Sequence, residues 1–294
     1  MILYYALGGG LGHLTRARAL LHTLRNGRRA AIVTASRFAE IPAVTGNAEI
    51  IRVPAELGED REGARGWVSD LIAATGPEEI IIDTFPAGIL GELCGVRFPA
   101  TTPLHHVARL LRWDRYRPML SGDAPHYSTT FRVEPLTEAH EAWIAGRSGE
   151  MIDLRLSDPP APHDPGEILD AALPGWNGKR PLWLVIHSEP AAELLELIEY
   201  ARELSAMEDI DPLLAVVTPV PVEGLPPEIP QIHAFPSSAL LPMAARIITG
   251  CGFNAMRQAE PHRERHHFIP FPRRYDDQFL RGARRRATSR TSPP

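Results

Sequence analysis

The first part of the chain alternates apolar runs with segments of helical spacing. Residues 2–7 form a continuous apolar run, which predicts a strand buried on both faces of a parallel sheet. Residues 14–24 then carry leucine or alanine at every third or fourth position, and Asn26-Gly27 predicts the end of that helix. Further strands are predicted at 30–34, 49–53 and 80–83, with a helical segment at 68–73. This order predicts a parallel α/β sheet with helices on both faces.

The second half of the chain repeats this organisation. The pattern weakens between residues 101 and 173, and we expect a proline-rich linker at about 158–179. After it, strands are predicted at 182–186, 213–217, 247–249 and 268–269. Helices are predicted at 191–207, 254–259 and from Asp276, with a helical turn at 238–245. The chain is long enough for two modest cores, so we predict two α/β domains, 1–160 and 161–294, with a cleft between them.

The composition is that of a soluble globular protein, with 44% apolar and 23% charged residues. The net charge of −5 gives no general attraction to nucleic acid or anionic membranes. Cys94 and Cys251 are far apart and have no CxxC partner, so we expect no disulfide framework and no structural zinc site. A reducing cytoplasm fits this cysteine usage.

The chain ends bear on membrane contact. The N-terminal apolar run is interpreted as a strand and not as a signal peptide, and no apolar run approaches the ~20 residues of a membrane span. The C-terminal tail is locally basic, and we expect a frayed end there, with contact to an anionic surface as the alternative. Its arginines are Arg281, Arg284, Arg285, Arg286 and Arg290.

A glycine-rich turn separates the first predicted strand from the first helix. Residues 8–12 read Gly-Gly-Gly-Leu-Gly and precede His13. A helix N-terminus favours anions such as phosphate, but the turn lacks the Lys-Ser/Thr of a Walker loop and the third glycine of a dinucleotide fingerprint. The positive end of the helix disfavours protonation of His13, which predicts a neutral general base. A capping or packing role is the alternative.

Asp83 ends the predicted strand 80–83. Because parallel sheets carry ligand sites at the carboxyl ends of their strands, Asp83 is a candidate for contacting an acceptor or orienting His13. Capping the next turn is the structural alternative. The basic, aromatic stretch 109–117 is predicted to form a solvated helix face, with contact to an anionic or lipid-linked acceptor as the alternative.

Two segments of the second half resemble binding turns. Residues 247–254 read Ile-Ile-Thr-Gly-Cys-Gly-Phe-Asn, a second junction of strand, glycine turn and helix and a second candidate anion cradle. Residues 270–278 read Pro-Phe-Pro-Arg-Arg-Tyr-Asp-Asp-Gln and follow another strand. Carboxylates and a carboxamide suit sugar hydroxyls, and arginine suits phosphate. A helix N-cap with a solvated charged face is the alternative.

Metal binding is not favoured. Asp209-Ile210-Asp211 spells the D-x-D of metal-dependent sugar transfer, but it precedes a strand, where a turn is expected. The pairs His105-His106 and His266-His267 are adjacent in sequence, so the two members of each pair do not face one site. We therefore predict neither a metal nor a cofactor.

The order and spacing of these motifs resemble the GT-B glycosyltransferases. The closest resemblance is to the branch of the enzyme that adds N-acetylglucosamine to the lipid-linked peptidoglycan precursor. It rests on residues 7–13 with Arg16 one turn on, on 249–254 and on 270–278. The resemblance implies two Rossmann-like domains facing a cleft, and inverting, metal-independent transfer from a nucleotide-diphosphate sugar, by analogy a UDP-sugar, to a hydroxyl acceptor. It implies a cytoplasmic enzyme, with peripheral contact at the inner membrane face as the alternative.

The resemblance also implies roles for individual residues. His13 and Asp83 are the implied catalytic residues, and Arg16, Thr84 and Arg109 are implied on the acceptor side. The implied donor-binding residues are Gly10, Gly12, Thr249, Gly250, Cys251, Gly252, Phe253, Asn254, Gln258, Arg273, Asp276, Asp277 and Gln278.

The chain departs from the family pattern at two places. Gln258 stands where the family usually has a glutamate that binds ribose, and residues 260–267 replace an apolar helix end and a glycine-proline turn. The C-terminal helix is also expected to be curtailed at 284–294. Two other functions stay open: a nucleotide-sugar epimerase or hydrolase of the same fold, and a catalytically degenerate homologue that binds a nucleotide or a partner protein.

Overall fold

The computed structural model describes residues 1–188 and 190–291, apart from the side chains of 289–291, so the end of the predicted basic tail lies outside the described residues. The chain divides into two units, one of Met1–Pro159 with Arg274–Asp277, the other of Pro160–Arg273 with the residues from Gln278 on. Both are α/β structures built on a parallel sheet. The assignment of all of 161–294 to one domain needs a correction, because Arg274–Asp277 pack with the first unit.

The first unit contains seven strands. They are β1 (Ile2–Tyr5), β2 (Ala30–Thr34), β3 (Glu49–Arg52), β4 (Glu79–Asp83), β5 (Leu104–Ala108), β6 (Tyr127–Arg132) and β7 (Ser148–Asp153), in the sheet order β3-β2-β1-β4-β5-β6-β7. The helices are α1 (Leu11–Arg25), α2 (Pro42–Thr45), α3 (Arg61–Thr75), α4 (Trp113–Tyr116) and α5 (Glu138–Ala145). Short 3-10 helices lie at Arg37–Glu40, Ala55–Leu57 and Arg117–Met119.

The second unit contains five strands. They are β8 (Leu182–Ile186), β9 (Leu213–Thr218), β10 (Gln231–His233), β11 (Arg246–Gly250) and β12 (His266–Ile269), in the order β10-β9-β8-β11-β12. The helices are α6 (Pro165–Ala172), α7 (Ala191–Met207), α8 (Phe253–Gln258) and α9 (Gln278–Thr291), with 3-10 helices at Ser237–Met243 and Glu260–Arg265. None of the helices in the described part of the chain is long and apolar enough to cross a membrane.

Each sheet reverses its strand order once. The reversal lies between β1 and β4 in the first unit and between β8 and β11 in the second. In open parallel sheets, ligands bind beyond the carboxyl ends of the strands at such a switch point. The turns that follow these four strands are therefore where functional side chains are expected in each unit.

The sequence pattern predicts the buried strands well and the edge of the first sheet poorly. β1, β2 and β4 are buried along their whole length, so their sequences are largely apolar runs. Between residues 101 and 173 the pattern predicts no strands, yet the sheet continues through β5, β6 and β7. β5 contains two buried histidines, and most side chains of β7 are exposed, so neither strand has a continuous apolar signature.

Two further predictions need correction. The expected linker at 158–179 contains α6, which Asp164 caps and whose Leu169 packs in the core of the second unit. The stretch 109–117 is solvated only in part, because Trp113 and Tyr116 are buried against Phe85 and Tyr275. The described part of α9 runs from Gln278 to Thr291, and its expected curtailment within 284–294 stays a prediction.

His140 on α5 is buried, and within the described residues it has no polar partner. Its ring stacks on Trp113 with the centroids 4.2 Å apart, and neither ring nitrogen has a hydrogen-bond partner within the described residues. Burial lowers the pKa of His140 to about 3, and the nearby His106 and Arg109 act in the same direction. Folding therefore requires the neutral ring.

This burial predicts a pH dependence of stability. The unfolded chain gains a proton on His140 as the pH falls below about 6.5, whereas the folded chain does not, so stability is lost as the pH falls. Between pH 7.5 and 5, we expect His140→Phe to lose about 2 kcal/mol less free energy of unfolding than the native protein. Chemical denaturation at both pH values measures this. His126→Phe, at an exposed position, is the control, and an unchanged pH dependence in His140→Phe would contradict the interpretation.

Candidate functional site

At the switch point of the first unit, His13 lies over the glycine turn. Gly10 caps α1 in an extended conformation, and His13 follows in the first turn of that helix. A Cβ atom on Gly8 would lie 2.4 Å from both Cδ2 and Nε2 of His13. Glycine at position 8 therefore leaves room for the imidazole ring itself. Gly10 and Gly12 are exposed there.

Asp83 lies at the end of β4, the other side of this switch point, and its carboxylate is fully buried. Oδ1 accepts hydrogen bonds from Tyr4 Oη at 2.9 Å and Arg16 Nε at 2.6 Å. Oδ2 lies 2.6 Å from His13 Nδ1. Burial raises the pKa of Asp83, but Arg16 and His13 outweigh this and hold it well below its usual range. Asp83 is therefore ionised, and its partners enclose it.

The ionised carboxylate fixes the state of His13. A carboxylate can only accept, so Nδ1 of the ring carries the hydrogen and Nε2 keeps its lone pair. Burial lowers the pKa of His13; Asp83 opposes this, and the charges of Arg16 and Arg109 add to it. The side chain is 13% exposed. At neutral pH the ring can accept a proton at Nε2, and Asp83 would stabilise the resulting imidazolium.

The three residues predicted on the acceptor side surround this pair. Arg16, Thr84 and Arg109 are buried, and the two guanidinium groups both donate to Thr84 Oγ1, at 2.6 Å from Arg16 and 3.2 Å from Arg109. Arg16 also donates to Asp83. These contacts make the three residues supports of the site, and their acceptor contacts stay a prediction.

The predicted cradle of the second unit extends from the end of β11 to the start of α8. Thr249, Gly250 and Cys251 are buried, and Thr249 Oγ1 lies 2.8 Å from His266 Nε2. Gly252 caps α8, with nothing within 4 Å of where its Cβ would lie. Phe253 is buried, whereas Asn254 and Gln258 are partly exposed on the same short helix. Within this cradle, Gly252 is therefore the residue with open space beside its backbone.

A cluster beside this cradle was not among the predicted site residues. His187 directly follows β8, and its Nε2 lies 2.8 Å from Glu193 Oε2. Arg273 forms two bonds of 2.5 Å to the same carboxylate. Burial raises the pKa of Glu193, but the bonds from His187 and Arg273 outweigh it and lower the pKa to about 2. The position of His187 after an apolar strand is the signal that identifies it.

The late segment 270–278 does not form one cluster. Arg273 belongs to the second unit, whereas Asp276 and Asp277 belong to the first. Asp276 Oδ1 accepts from Arg109, and Gln278 Oε1 accepts from the backbone N–H of Phe271 at 3.0 Å. Asp276 and Gln278 thus each have a partner within their own unit, and the donor contacts of this segment stay a prediction.

The remaining motifs take ordinary structural positions. Asp209 has a left-handed backbone conformation in the turn before β9, and Asp211 pairs with Arg180 at the surface. His105 Nε2 lies 3.6 Å from Glu79 Oε1, whereas His106 Nε2 lies 3.2 Å from the carbonyl oxygen of Thr84. The members of the first histidine pair thus have different partners.

Comparison with known proteins identifies the fold. No protein-family model and no curated protein matches the chain. The solved structures that match nearly its whole length include the following three. One is the Streptomyces sp. SF2575 glycosyltransferase SsfS6, complexed with thymidine diphosphate, which is 14% identical to this chain. The alignment covers 98% of this chain and 85% of the glycosyltransferase, with a TM-score of 0.57. The S. aureus MnaA-UDP co-structure is 10% identical to this chain. The alignment covers 97% of this chain and 82% of the other, with a TM-score of 0.59.

The third structure is the Methanocaldococcus jannaschii UDP-GlcNAc 2-epimerase in complex with UDP-GlcNAc and UDP. It is 10% identical, covers 100% of this chain and 94% of its own, and has a TM-score of 0.52. Together with the two parallel sheets, these similarities show that the chain has the GT-B fold. These matches do not distinguish the peptidoglycan branch from other GT-B proteins. Sequence identities this low show the fold and not the function.

The close contact of Gly8 with His13 gives a direct test of the site. In Gly8→Ala, the added methyl group overlaps the imidazole and displaces it from Asp83, so we expect a loss of about 1 to 3 kcal/mol in the free energy of unfolding. Gly9→Ala is a matched control, because nothing lies within 4 Å of its Cβ position. Equal denaturation curves for the two variants would show that the ring does not lie over Gly8.

Proposed function

We propose that this protein transfers a sugar from a nucleotide-diphosphate donor, most simply a UDP-sugar, to a hydroxyl acceptor, with inversion and without a metal. The observation that carries the proposal is the pairing of His13 with an ionised, buried Asp83 at a switch point of the sheet. That pair supplies a neutral base whose side chain is 13% exposed. GT-B proteins that bind UDP or thymidine diphosphate are among the structures similar to this chain, which supports the donor class.

The proposed reaction begins at Nε2 of His13. The acceptor hydroxyl gives its proton to Nε2 while its oxygen attacks the anomeric carbon of the donor sugar. The bond between that carbon and the diphosphate oxygen breaks, and the electron pair leaves with the diphosphate. Asp83 stabilises the imidazolium that forms, as the carboxylate of a catalytic triad does. Direct attack from the opposite face inverts the anomeric configuration.

On the donor side, we assign the diphosphate to the turn 249–254 together with Arg273. N–H groups at such a turn and a guanidinium group favour a leaving diphosphate. Gln258 is assigned to the ribose, and Asp277 and Gln278 to the sugar. His187 is added to the diphosphate side because Glu193 and Arg273 hold it beside Gly250, whose Cβ would lie 3.3 Å from its ring. We assign the activity to the cytoplasm, with peripheral membrane contact if the acceptor is lipid-linked.

A second candidate is epimerisation or hydrolysis of a nucleotide sugar. UDP-GlcNAc 2-epimerases are among the similar structures, one of them over 94% of its own chain. Incubating the protein with a UDP-sugar in the absence of any acceptor separates the candidates. A transferase leaves the sugar unchanged, an epimerase yields its epimer, and a hydrolase releases free sugar. A degenerate binding protein would bind UDP and turn over none of these substrates.

Replacement of the base is the central mutational test. We expect His13→Ala to lower the transfer rate roughly 10²- to 10⁴-fold, the contribution of a positioned general base. The affinity for UDP, measured by calorimetry, should stay largely unchanged because the proposed donor contacts lie elsewhere. His22→Ala, on the same helix, is the control. Near-normal turnover by His13→Ala would remove this residue from the mechanism.

A further inference from the structure

A continuous series of polar contacts joins Asp276 to His13 within the first unit. Asp276 Oδ1 accepts from Arg109 Nη1, and Arg109 Nε donates to Thr84 Oγ1 at 3.2 Å. Arg16 Nη2 donates to that hydroxyl and to Asp83, which bonds His13. Asp276 lies 167 positions from Arg109 in sequence. The late segment therefore supplies the outermost member of a buried network around the proposed base.

The backbone also ties Asp276 to this network. Leu111 and Asp276 form an isolated antiparallel bridge, and the N–H of Arg112 donates to the carbonyl oxygen of Tyr275 at 2.7 Å. The ring of Tyr275 packs edge-on against Phe85, with 5.6 Å between the centroids. Phe85 in turn lies 5.9 Å from the His13 ring. The carboxylate is thus held by backbone and aromatic contacts as well as by Arg109.

The centre of this network is conformationally unusual. Thr84 has a φ of 64°, the left-handed region that non-glycine residues rarely adopt. His106 bonds its carbonyl oxygen, and Arg16 and Arg109 bond its hydroxyl, so several buried partners hold this conformation. Each of the two arginines that donate to Thr84 also forms an ion pair, Arg109 with Asp276 and Arg16 with Asp83.

We propose that Asp276 is a positioning residue for His13: by balancing the charge of Arg109 and holding it on Thr84, it sets the environment in which His13 acts. The functional meaning of this inference rests on the proposed role of His13. Asp276 thus acts on the base side, and not on the donor side where the motif pattern places it. The charged and titratable groups on the elements around His13 are Tyr4, Arg16, Asp83, His106, Arg109 and Asp276.

The test is a substrate-free NMR titration of His13 in ring-labelled protein, with its signal identified by its loss in His13→Gln. Asp276→Asn leaves the positive charge of Arg109 without this carboxylate, so the pKa of His13 should fall by roughly 0.5 to 1 pH unit. Arg109→Gln removes that positive charge, so the pKa should rise by a similar amount. The double variant should return close to the native value. A residue that only stabilises the fold would not produce this pattern of opposite signs.

Two controls complete the design. Asp153→Asn removes a carboxylate from Arg132 at the sheet edge and should leave the titration of His13 unchanged. Asp276→Glu keeps the charge and should largely restore the native value. If Asp276→Asn alone does not fold, the double variant decides, because its His13 pKa should lie below that of Arg109→Gln. An unmoved His13 titration in the variants that fold would overturn the inference. Because no substrate is needed, this result is separate from failure of the transferase proposal, which would appear as absent turnover by the native protein.

Discussion

The site of the first unit depends on one buried carboxylate. Asp83 has no exposed surface, and an isolated charge there would be too costly to bury. Arg16, Tyr4 and His13 all bond it, so it stays ionised and fixes the hydrogen of His13 on Nδ1. From this follow the lone pair on Nε2 and the position of the ring over Gly8, whereas burial and the charges of Arg16 and Arg109 favour the neutral ring. Loss of one partner of a buried ion pair typically costs 3 to 5 kcal/mol, so the network also contributes to stability.

The two units use the same physical arrangement in different ways. Each places a histidine beyond a strand at its switch point, and each histidine contacts a carboxylate that an arginine also binds. In the first unit the set is His13, Asp83 and Arg16, and in the second it is His187, Glu193 and Arg273. The first carboxylate is fully buried, whereas the second is partly exposed, as are both of its partners. The burial of the first set suits a histidine shielded from solvent, whereas the partial exposure of the second set suits contact with an anion from solution.

Much of the fold can be predicted from the sequence because strands buried on both faces of a parallel sheet have continuous apolar sequences. The same reasoning places His13 and Asp83 at strand ends of one sheet, and the structure brings them together. It does not predict β5 to β7, whose histidines, threonines and exposed positions interrupt the apolar pattern. Nor does it predict the contact of Asp276 with Arg109, since a pairing over 167 positions depends on the path of the whole chain. The motif around Asp276 resembles a donor site, but its side chain bonds Arg109 in the first unit, to which Asp276 itself belongs.

The central claim is that neutral His13, held by Asp83, takes the proton of the acceptor. The pH dependence of kcat/KM for sugar transfer tests it most directly, with a donor and acceptor found by screening nucleotide sugars. The rate should rise with pH through a single ionisation below about 6.5, since burial lowers the pKa of His13, and then stay level. The apparent pKa should match that of His13 titrated by NMR. A rate that does not depend on this ionisation, or a profile that His13→Gln retains, would contradict the account.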